Sequence, residues 1–469
     1  MVFSSNLFIF FFLPITIWGY YFLGKKLQNV FLLFVSLLFF AWSQPQFVWV
    51  ILLNILVNYC GALAIGNVKN KIVKKLSLII DISVNLGLLF YFKYFNFVID
   101  SINHVIDSNI IVDQIVLPIG ISFFTFQGLS YVFDVYLGKV EVQKNPFKVA
   151  LYILFFPQLI AGPIVKYGDI ALEIDNRAVS LDDFTEGLER FIIGLGKKAI
   201  ISNTMAVMVD KIWERGIDQN TVAIAWIGCI GYTLQIYYDF SGYSDMAIGL
   251  GRIFGFHFNE NFNLPYISKS VTEFWKRWHI SLTTWFREYV YIPLGGNRKH
   301  VYLNVAIVFL LTGIWHGASW TFILWGIWHG VFRLIEMYFN KTNKKIKLAK
   351  IPLLGNIYTL SVVGIGWILF RAPNLSDAIY YLKTMVGIDL GSMPGFTVGY
   401  YLDRWNVTNM ALGILFATAI PGKIVLHIKS VCSEKVYFIG KKVLLLFLFY
   451  FSLIRIVAGT YNPFIYFQF

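Results

Sequence analysis

Histidines within apolar sequence are the residues of this chain best suited to acid–base chemistry. His316 lies in Gly313-Ile-Trp-His-Gly317, where two apolar segments join, and the same pentapeptide recurs thirteen positions later around His329. An imidazole titrates at about pH 6.5, so it can accept a proton from an attacking hydroxyl, and histidine at membrane depth is a functional hypothesis by default. Steps of about 100° per residue place the two rings on different helix faces, so at most one is expected to be the primary base.

His279 is the second candidate, and Trp278 precedes it in a polar, aromatic stretch. A packed histidine with a hydrogen-bond partner remains the alternative for His316. A structural histidine at the membrane interface remains the alternative for His279. No Gly-Xaa-Ser-Xaa-Gly elbow, HExxH motif or P-loop is present, which leaves serine hydrolase, zinc protease and P-loop ATPase chemistry unsupported. Three widely spaced cysteines form no CxxC pair, and we expect no metal site.

The elements that must position these residues are membrane helices. Of 469 residues, 57% are hydrophobic and 14% charged, whereas soluble domains carry about 25% charged residues. Apolar segments recur at about 3–22, 29–43, 46–66, 76–95, 115–136, 148–164, 190–209, 222–250, 301–314, 318–337, 357–371, 408–421 and 441–459. These runs are continuous, which predicts helices because lipid cannot satisfy backbone polar groups. We predict an all-α polytopic membrane protein of roughly ten to twelve transmembrane helices, with the lipid bilayer as a partner.

Basic residues occur in short runs between the apolar segments, which explains the net charge of +13 without a nucleic-acid partner. Lys and Arg concentrate in cytoplasmic loops, and the runs at 25–26, 67–75, 341–350 and 423–442 predict both termini outside the cytoplasmic membrane. The first apolar segment lacks the features of a cleavable signal and is expected to be a retained span.

The stretch from about 235 to 300 mixes aromatic, charged and glycine residues. Such polarity is costly against lipid, so we expect short, slanted or re-entrant helices that line a tunnel. Amphipathic helices at the membrane interface are the alternative.

Several motifs in order resemble the membrane-bound O-acyltransferase (MBOAT) superfamily, and specifically its bacterial alginate and peptidoglycan O-acetyltransferase branch. They are Pro157–Val165, Asp239–Gly249, Asn261–Tyr266, Phe274–His279, Tyr289–Arg298, Gly313–Trp320 and Asn462–Phe469. The resemblance implies a ring of transmembrane helices around a thinned centre, with two funnels meeting near the catalytic histidine. We expect one MBOAT domain over residues 1–469, with N-terminal helices at 1–114, a catalytic core at 115–340, and C-terminal helices with an extracytoplasmic tail at 341–469.

The resemblance also implies roles for individual residues. His316 would be the principal catalytic histidine and His279 the second, and Tyr466 would carry the acyl group as a phenolic ester. Interfacial anchoring is the alternative for this tyrosine. The residues expected to line the tunnel are Trp315, Trp320, His329, Trp278 and Asp245.

The expected activity is O-acyl transfer. Acetyl-CoA would be the cytoplasmic donor, no metal would take part, and an extracytoplasmic SGNH-type transferase would hand acetyl groups to a cell-surface or cell-wall polysaccharide. Two alternatives remain open. One is D-alanyl transfer to teichoic acid, which needs a carrier protein as donor. The other is a transporter or polysaccharide exporter without acyl chemistry, which would predict internal repeats beyond the short pentapeptide echo.

Overall fold

The computed structural model describes residues 2–214, 219–341, 353–388, 395–459 and 464–465. Within these ranges the regular structure is helical and no strand occurs, which confirms the all-α class. Two compact units result. The first comprises Met1–Phe191 and Ser244–Asn259, and the second comprises Ile192–Tyr243 and Glu260–Phe469. The subdivision expected from sequence, with boundaries at residues 114 and 340, differs from the boundaries of these two units and stays a prediction.

The first unit contains the N-terminal helices, which pack through apolar faces. They are α1 (Leu13–Phe22), α2 (Lys25–Ser43), α3 (Val48–Asn67), α4 (Lys71–Leu89), α5 (Phe95–Ile106), α6 (Ile121–Tyr136), α7 (Pro146–Leu154), α8 (Phe156–Leu159), α9 (Tyr167–Asp175) and most of α10 (Leu181–Gly196). Local sequence determines where several of these helices begin. The side chain of Asn70, for example, accepts the Ile72 N–H at 2.8 Å and so caps α4.

A half-exposed histidine links helices α9 and α10 of this unit. His257 Nδ1 lies 2.7 Å from Glu173 Oε1, and its Nε2 lies 3.3 Å from Asp183 Oδ1. Burial pushes the pKa of His257 down, but the hydrogen bonds and charges of the two carboxylates outweigh it, so the pKa is raised above its ordinary value.

The second unit holds the polar central stretch and the C-terminal helices. They are α11 (Asn203–Glu214), α12 (Val222–Ile253), whose C-terminal part belongs to the first unit, α13 (Val271–Arg277), α14 (Ile280–Phe286), α15 (Val301–His316), α16 (Trp320–Lys341), α17 (Leu354–Arg371), α18 (Leu375–Met385), α19 (Val398–Tyr401), α20 (Arg404–Phe416), α21 (Ile420–Val431) and α22 (Glu434–Ala458). Short π-helical turns interrupt the helices at Phe8–Phe12, Phe90–Tyr94, Lys197–Ser202 and Arg287–Tyr291.

The 235–300 stretch only partly follows the expected pattern of short helices. Its beginning belongs to α12, one continuous helix of 32 residues. The remainder contains α13 and α14, of seven residues each and joined at Trp278 and His279, together with a 3₁₀ turn at Pro265–Ile267 and the π-helical turn at Arg287–Tyr291.

Length and composition single out four described helices able to cross a membrane, at Lys25–Ser43, Pro45–Asn67, Leu181–Glu214 and Leu354–Arg371. The bent pair Arg404–Phe416 and Ile420–Val431 would make five if it counts as one span. This is fewer than the predicted ten to twelve. Apolar stretches such as those around Phe8–Phe22 and Val301–His316 form helices shorter than a full span. The length of a helix cannot be read from a continuous hydrophobic run in the sequence.

Candidate active site

His279 occupies a left-handed backbone position between two short helices. Its φ is +44° and its ψ is +55°, immediately before α14 begins. This region is unfavourable for residues with a Cβ by about 1–2 kcal/mol, and such strain clusters at functional sites. The sharp reversal after α13 turns the ring into the protein, where it is fully buried.

Asn261 fixes the protonation pattern of this ring. Its Oδ1 accepts the backbone N–H of Ser281 at 3.2 Å and the hydroxyl of Ser281 at 2.9 Å, so this atom acts as an acceptor. The same oxygen lies 3.2 Å from His279 Nδ1, which must therefore carry the proton and donate it. Nε2 is left with its lone pair, which is the state that a general base requires.

The basic nitrogen of His279 belongs to a buried ring with an aromatic neighbour. Among the described residues, Nε2 has no hydrogen-bond partner. The ring of Phe240 stands edge-on at 4.6 Å between centroids. Burial lowers the pKa of His279 to about 3, so the imidazole is neutral at physiological pH.

His316 is the last residue of α15, and its side chain is buried. Its ring lies edge-on to Trp325 at 4.8 Å and to Phe370 at 5.2 Å. Trp315 contacts both candidate rings, with centroids 5.0 Å from His316 and 5.9 Å from His279. The structure therefore brings the two predicted catalytic histidines into one buried aromatic cluster.

The repeated pentapeptide has a packing explanation. Its first glycines, Gly313 and Gly326, face each other where α15 crosses α16. A Cβ on Gly313 would stand 2.5 Å from the Phe322 carbonyl, and one on Gly326 would stand 2.5 Å from the Phe309 carbonyl. Small residues at such positions let membrane helices approach closely. The repeated pentapeptide therefore aligns α15 with α16, together with the histidine that follows each glycine.

His329 is fully buried beside the same cluster. Its ring contacts Trp275 at 5.1 Å and Trp325 at 5.0 Å. Neither of its nitrogens has a hydrogen-bond partner among the residues that the structure describes. Gly366 makes room for it, because a Cβ there would lie 2.6 Å from His329 Nε2.

The other residues expected to line the tunnel have different surroundings. Trp278 is buried against Phe262 and Trp367, with centroids at 5.0 and 4.8 Å. Asp245 belongs to the first unit, where Arg190 binds its Oδ1 through two nitrogens, each at 2.7 Å. Trp320 begins α16 and is 56% exposed. The tunnel-lining roles stay predictions, and Tyr466 lies outside the described residues.

A buried ion pair near the C-terminus was not singled out from sequence. Lys198 Nζ lies 2.5 Å from Asp239 Oδ1, and both side chains are almost fully buried. The backbone N–H of Ile465 donates to Asp239 Oδ2 at 2.8 Å, and Lys198 Nζ stands 5.7 Å from the ring centre of Phe464. The sequence signal was a lysine and an aspartate inside apolar segments, since charges at membrane depth are rare and usually paired. The pair therefore holds residues 464–465 against the second unit.

Among the described residues, no group of three His, Cys, Asp or Glu side chains could hold a metal ion. Asn261 belongs to a motif noticed in the sequence, but its role as the partner of His279 becomes visible only in three dimensions.

A family profile described as MBOAT, membrane-bound O-acyltransferase family, matches residues 140–375, which is half of the chain. Together with relatives that match over the full length, this shows that the chain belongs to the MBOAT family and is a multi-pass membrane O-acyltransferase.

The relatives include a probable alginate O-acetylase AlgI of Pseudomonas putida, 38% identical with both chains covered completely. A peptidoglycan O-acetyltransferase of Helicobacter pylori is 33% identical over 89% of this chain and 86% of its own. The teichoic acid D-alanyltransferase of Bacillus subtilis is more distant, at 30% identity over 49% of this chain and 61% of its own. The chain therefore lies in the alginate and peptidoglycan O-acetyltransferase branch.

Proposed function

We propose that this enzyme takes an acetyl group from a cytoplasmic thioester donor and passes it across the membrane for O-acetylation of a cell-surface or cell-wall polysaccharide. The observation that carries the proposal is the buried cluster of His279 and His316 around Trp315, in which Asn261 leaves His279 Nε2 free to accept a proton. The names of the alginate O-acetylase and peptidoglycan O-acetyltransferase relatives, which match most of this chain, support acetyl transfer to a glycan.

The chemistry that this cluster can perform is proton transfer next to an activated carbonyl. An imidazole takes the proton of an attacking hydroxyl, the hydroxyl oxygen forms a bond to the thioester carbon, and the carbon–sulfur bond breaks. The same imidazole then returns the proton to the leaving thiolate, which balances the step. We assign His316 as the principal base, and His279, whose ring also contacts Trp315, as a second base or an orienting group.

Tyr466 is the proposed first acceptor. A phenol ordinarily titrates at about pH 10, so a tyrosine needs a base before it can attack. The resulting phenolic ester would be a reactive donor for a serine of a partner enzyme, and transfer to that serine would regenerate the phenol. Support comes from the preceding residue, Ile465, whose N–H is held by the buried carboxylate of Asp239.

We place the enzyme in the cytoplasmic membrane with both termini outside and acetyl-CoA as donor. The basic runs support this orientation. An extracytoplasmic SGNH-type O-acetyltransferase is the proposed partner, because the acetyl group must finally reach a glycan hydroxyl outside the cell.

The test is acetylation of the native glycan in cells that lack the chromosomal gene. Mass spectrometry would compare complementation by the natural protein, by His316→Ala and by His279→Gln, with His104→Ala on the exposed face of α5 as control. A lost general base lowers the rate by about 10²–10⁴-fold, so we expect ester content near the deletion background for His316→Ala and full ester content for the control. Full acetylation by His316→Ala would overturn the proposal.

Loading of the purified protein distinguishes the alternatives. Radiolabelled acetyl-CoA should label the natural protein but not Tyr466→Phe. Label from a D-alanyl carrier protein instead would favour teichoic acid D-alanylation, and solute flux without any labelling would indicate a transporter.

A further inference from the structure

A cavity of about 540 Å³ opens in the first unit, where α2 begins beside the loop that follows α9. Its described lining contains three cations, Lys25, Lys26 and Arg177, and one carboxylate, Asp175. Lys148 pairs with that carboxylate, so the negative charge is already matched. Neither lysine of the lining pairs with a carboxylate in the described part of the chain. The cavity therefore carries excess positive charge, which indicates an anionic ligand.

The guanidinium of Arg177 is fixed in place by its neighbours. Nε donates to the Tyr20 hydroxyl and to the Phe254 carbonyl, each at 3.0 Å. Nη1 donates to Asn29 Oδ1 at 2.6 Å, and the carbon Cζ stands 4.6 Å from the ring centre of Phe256. Nη2 has no hydrogen-bond partner among the described residues. A charged donor without an acceptor is costly, so a ligand oxygen or an ordered water is expected to meet Nη2.

The position of the two lysines adds to the positive potential of the cavity. They are the first two residues of α2, where backbone N–H groups without helical partners form the positive end of the helix. The first turn contains no acidic residue, and the preceding Gly24 offers no side-chain cap. Lysine is unfavourable at this end of a helix, and a bound anion relieves that repulsion. The backbone and the side chains therefore favour the same sign of ligand charge.

An exposed apolar stripe begins at the cavity and follows α2. Starting from Lys26, the exposed side chains of Val30, Phe34 and Leu38 succeed one another every four residues. Residues four apart are neighbours on a helix surface. A rise of 1.5 Å per residue makes this stripe about 18 Å long, which is slightly more than half the hydrocarbon thickness of a bilayer, about 30 Å. Because α2 is long and apolar enough to cross a membrane, the stripe faces lipid along one leaflet.

We infer that an anionic membrane phospholipid binds here, with its phosphate in the cavity against Arg177 and the two lysines and with one acyl chain along the apolar stripe of α2. Basic pockets beside membrane helices bind lipid headgroups in this way. The planar donor fork of a guanidinium matches phosphate oxygens, and lysines add point charges. The stripe favours a lipid over a free phosphate, because only a lipid has an apolar chain to cover it. The inference depends neither on the catalytic histidines nor on acetyl transfer.

The experiment counts lipid molecules bound to the full-length protein. Native mass spectra from detergent micelles would be recorded during titration with phosphatidylglycerol, with phosphatidylcholine and with inorganic phosphate. The double variant Lys25→Gln/Lys26→Gln removes two cations whose side chains form no hydrogen bond or ion pair with the described residues, so folding should be retained. The matched control is Lys74→Gln/Lys75→Gln, which removes a lysine pair near the start of α4 that does not line the cavity.

Basic residues near a lipid phosphate attract it strongly enough that losing two lowers affinity about 10- to 30-fold. We expect this loss of phosphatidylglycerol affinity in the variant of the two cavity lysines, no loss in the control, and weaker binding of phosphatidylcholine to the natural protein. Phe34→Ala removes the middle of the stripe and should lower phosphatidylglycerol affinity about 3- to 10-fold. Its control is Phe447→Ala, which removes an exposed ring from α22 in the second unit.

Four outcomes would overturn the inference. Equal phosphatidylglycerol affinity in the two double lysine variants would show that the cavity does not hold the headgroup. Equal affinity in the two phenylalanine variants would show that no acyl chain lies along α2. Displacement of phosphatidylglycerol by inorganic phosphate at equal concentration would indicate a site for free phosphate. Binding of phosphatidylcholine as tight as that of phosphatidylglycerol would show that the positive charge of the cavity does not select the ligand.

Discussion

The buried pair of Lys198 and Asp239 allows a quantitative prediction about stability. Lys198→Met would leave the Asp239 carboxylate, 1% exposed, without its cation, and Asp239→Leu would leave the Lys198 ammonium, 2% exposed, without its anion. Removing one partner of a buried pair costs about 3–5 kcal/mol, because an uncompensated charge remains in a medium of low dielectric constant. We expect each single variant to lose about that much free energy of unfolding.

The double variant Lys198→Met/Asp239→Leu should recover part of this loss. Apolar residues of similar volume often replace a buried ion pair at little or no cost. It would still lack the acceptor for the Ile465 N–H, and a hydrogen bond to a charged group contributes about 1.5–3 kcal/mol. We therefore expect the double variant to be more stable than either single variant, to remain about 1.5–3 kcal/mol less stable than the natural protein, and to release residues 464–465.

Two assays separate these effects. Denaturant unfolding in mixed micelles, followed by circular dichroism, gives the free energies. Digestion by a carboxypeptidase reports release of the segment and should be faster in the double variant. Asp210→Leu is the control, because Asp210 pairs with Arg371 at 2.7 Å but is more exposed, so its loss should be smaller. Single variants that each lose less than about 1 kcal/mol, or a double variant no more stable than either, would refute the reasoning.

Three further predictions concern other parts of the molecule. Asn261→Ala should lower the initial acetyl-transfer rate by up to about 10²-fold, because the His279 ring can then adopt the tautomer without a basic Nε2. Gly366→Ala should lower the unfolding free energy by about 1–3 kcal/mol, measured in micelles, because its Cβ would overlap the His329 ring. His257→Gln should flatten the dependence of melting temperature on pH between 5.5 and 9. Because the pKa of His257 is raised in the folded protein, protonated His257 stabilises the fold fully below about pH 6.5. This stabilisation is lost as the pH rises through the pKa of His257 in the folded protein.

Each of these predictions has a matched control or a contrary result. Asn263→Ala tests a neighbouring side chain of the same motif, and equal rates for the two alanine variants would argue against the tautomer mechanism. Gly440→Ala adds a methyl group where nothing lies within 4 Å, so it should not destabilise. An unchanged pH profile in His257→Gln would show that the carboxylates around this ring do not couple its protonation to folding.

The membrane class and the candidate histidines were predictable because both depend on local properties of the chain. Long apolar runs require lipid and helices wherever they fold, and a histidine flanked by glycines is recognisable by residue type. Which apolar runs form full-length helices was not predictable in this way. Apolar residues in a short or interrupted helix look the same in sequence as those in a continuous one, and only packing decides where a run such as 301–314 ends.

The sequence determined that the chain is an all-helical membrane protein with imidazoles inside apolar segments. Composition alone shows that the chain needs lipid as its solvent, and residue type alone shows which chemistry is available. Tertiary structure decided which groups meet. Asn261 reaches His279 across 18 positions, and Asp239 reaches Ile465 across 226. These contacts set a tautomer and anchor a segment, and they depend on how distant helices pack. That packing cannot be predicted from any local pattern of residues.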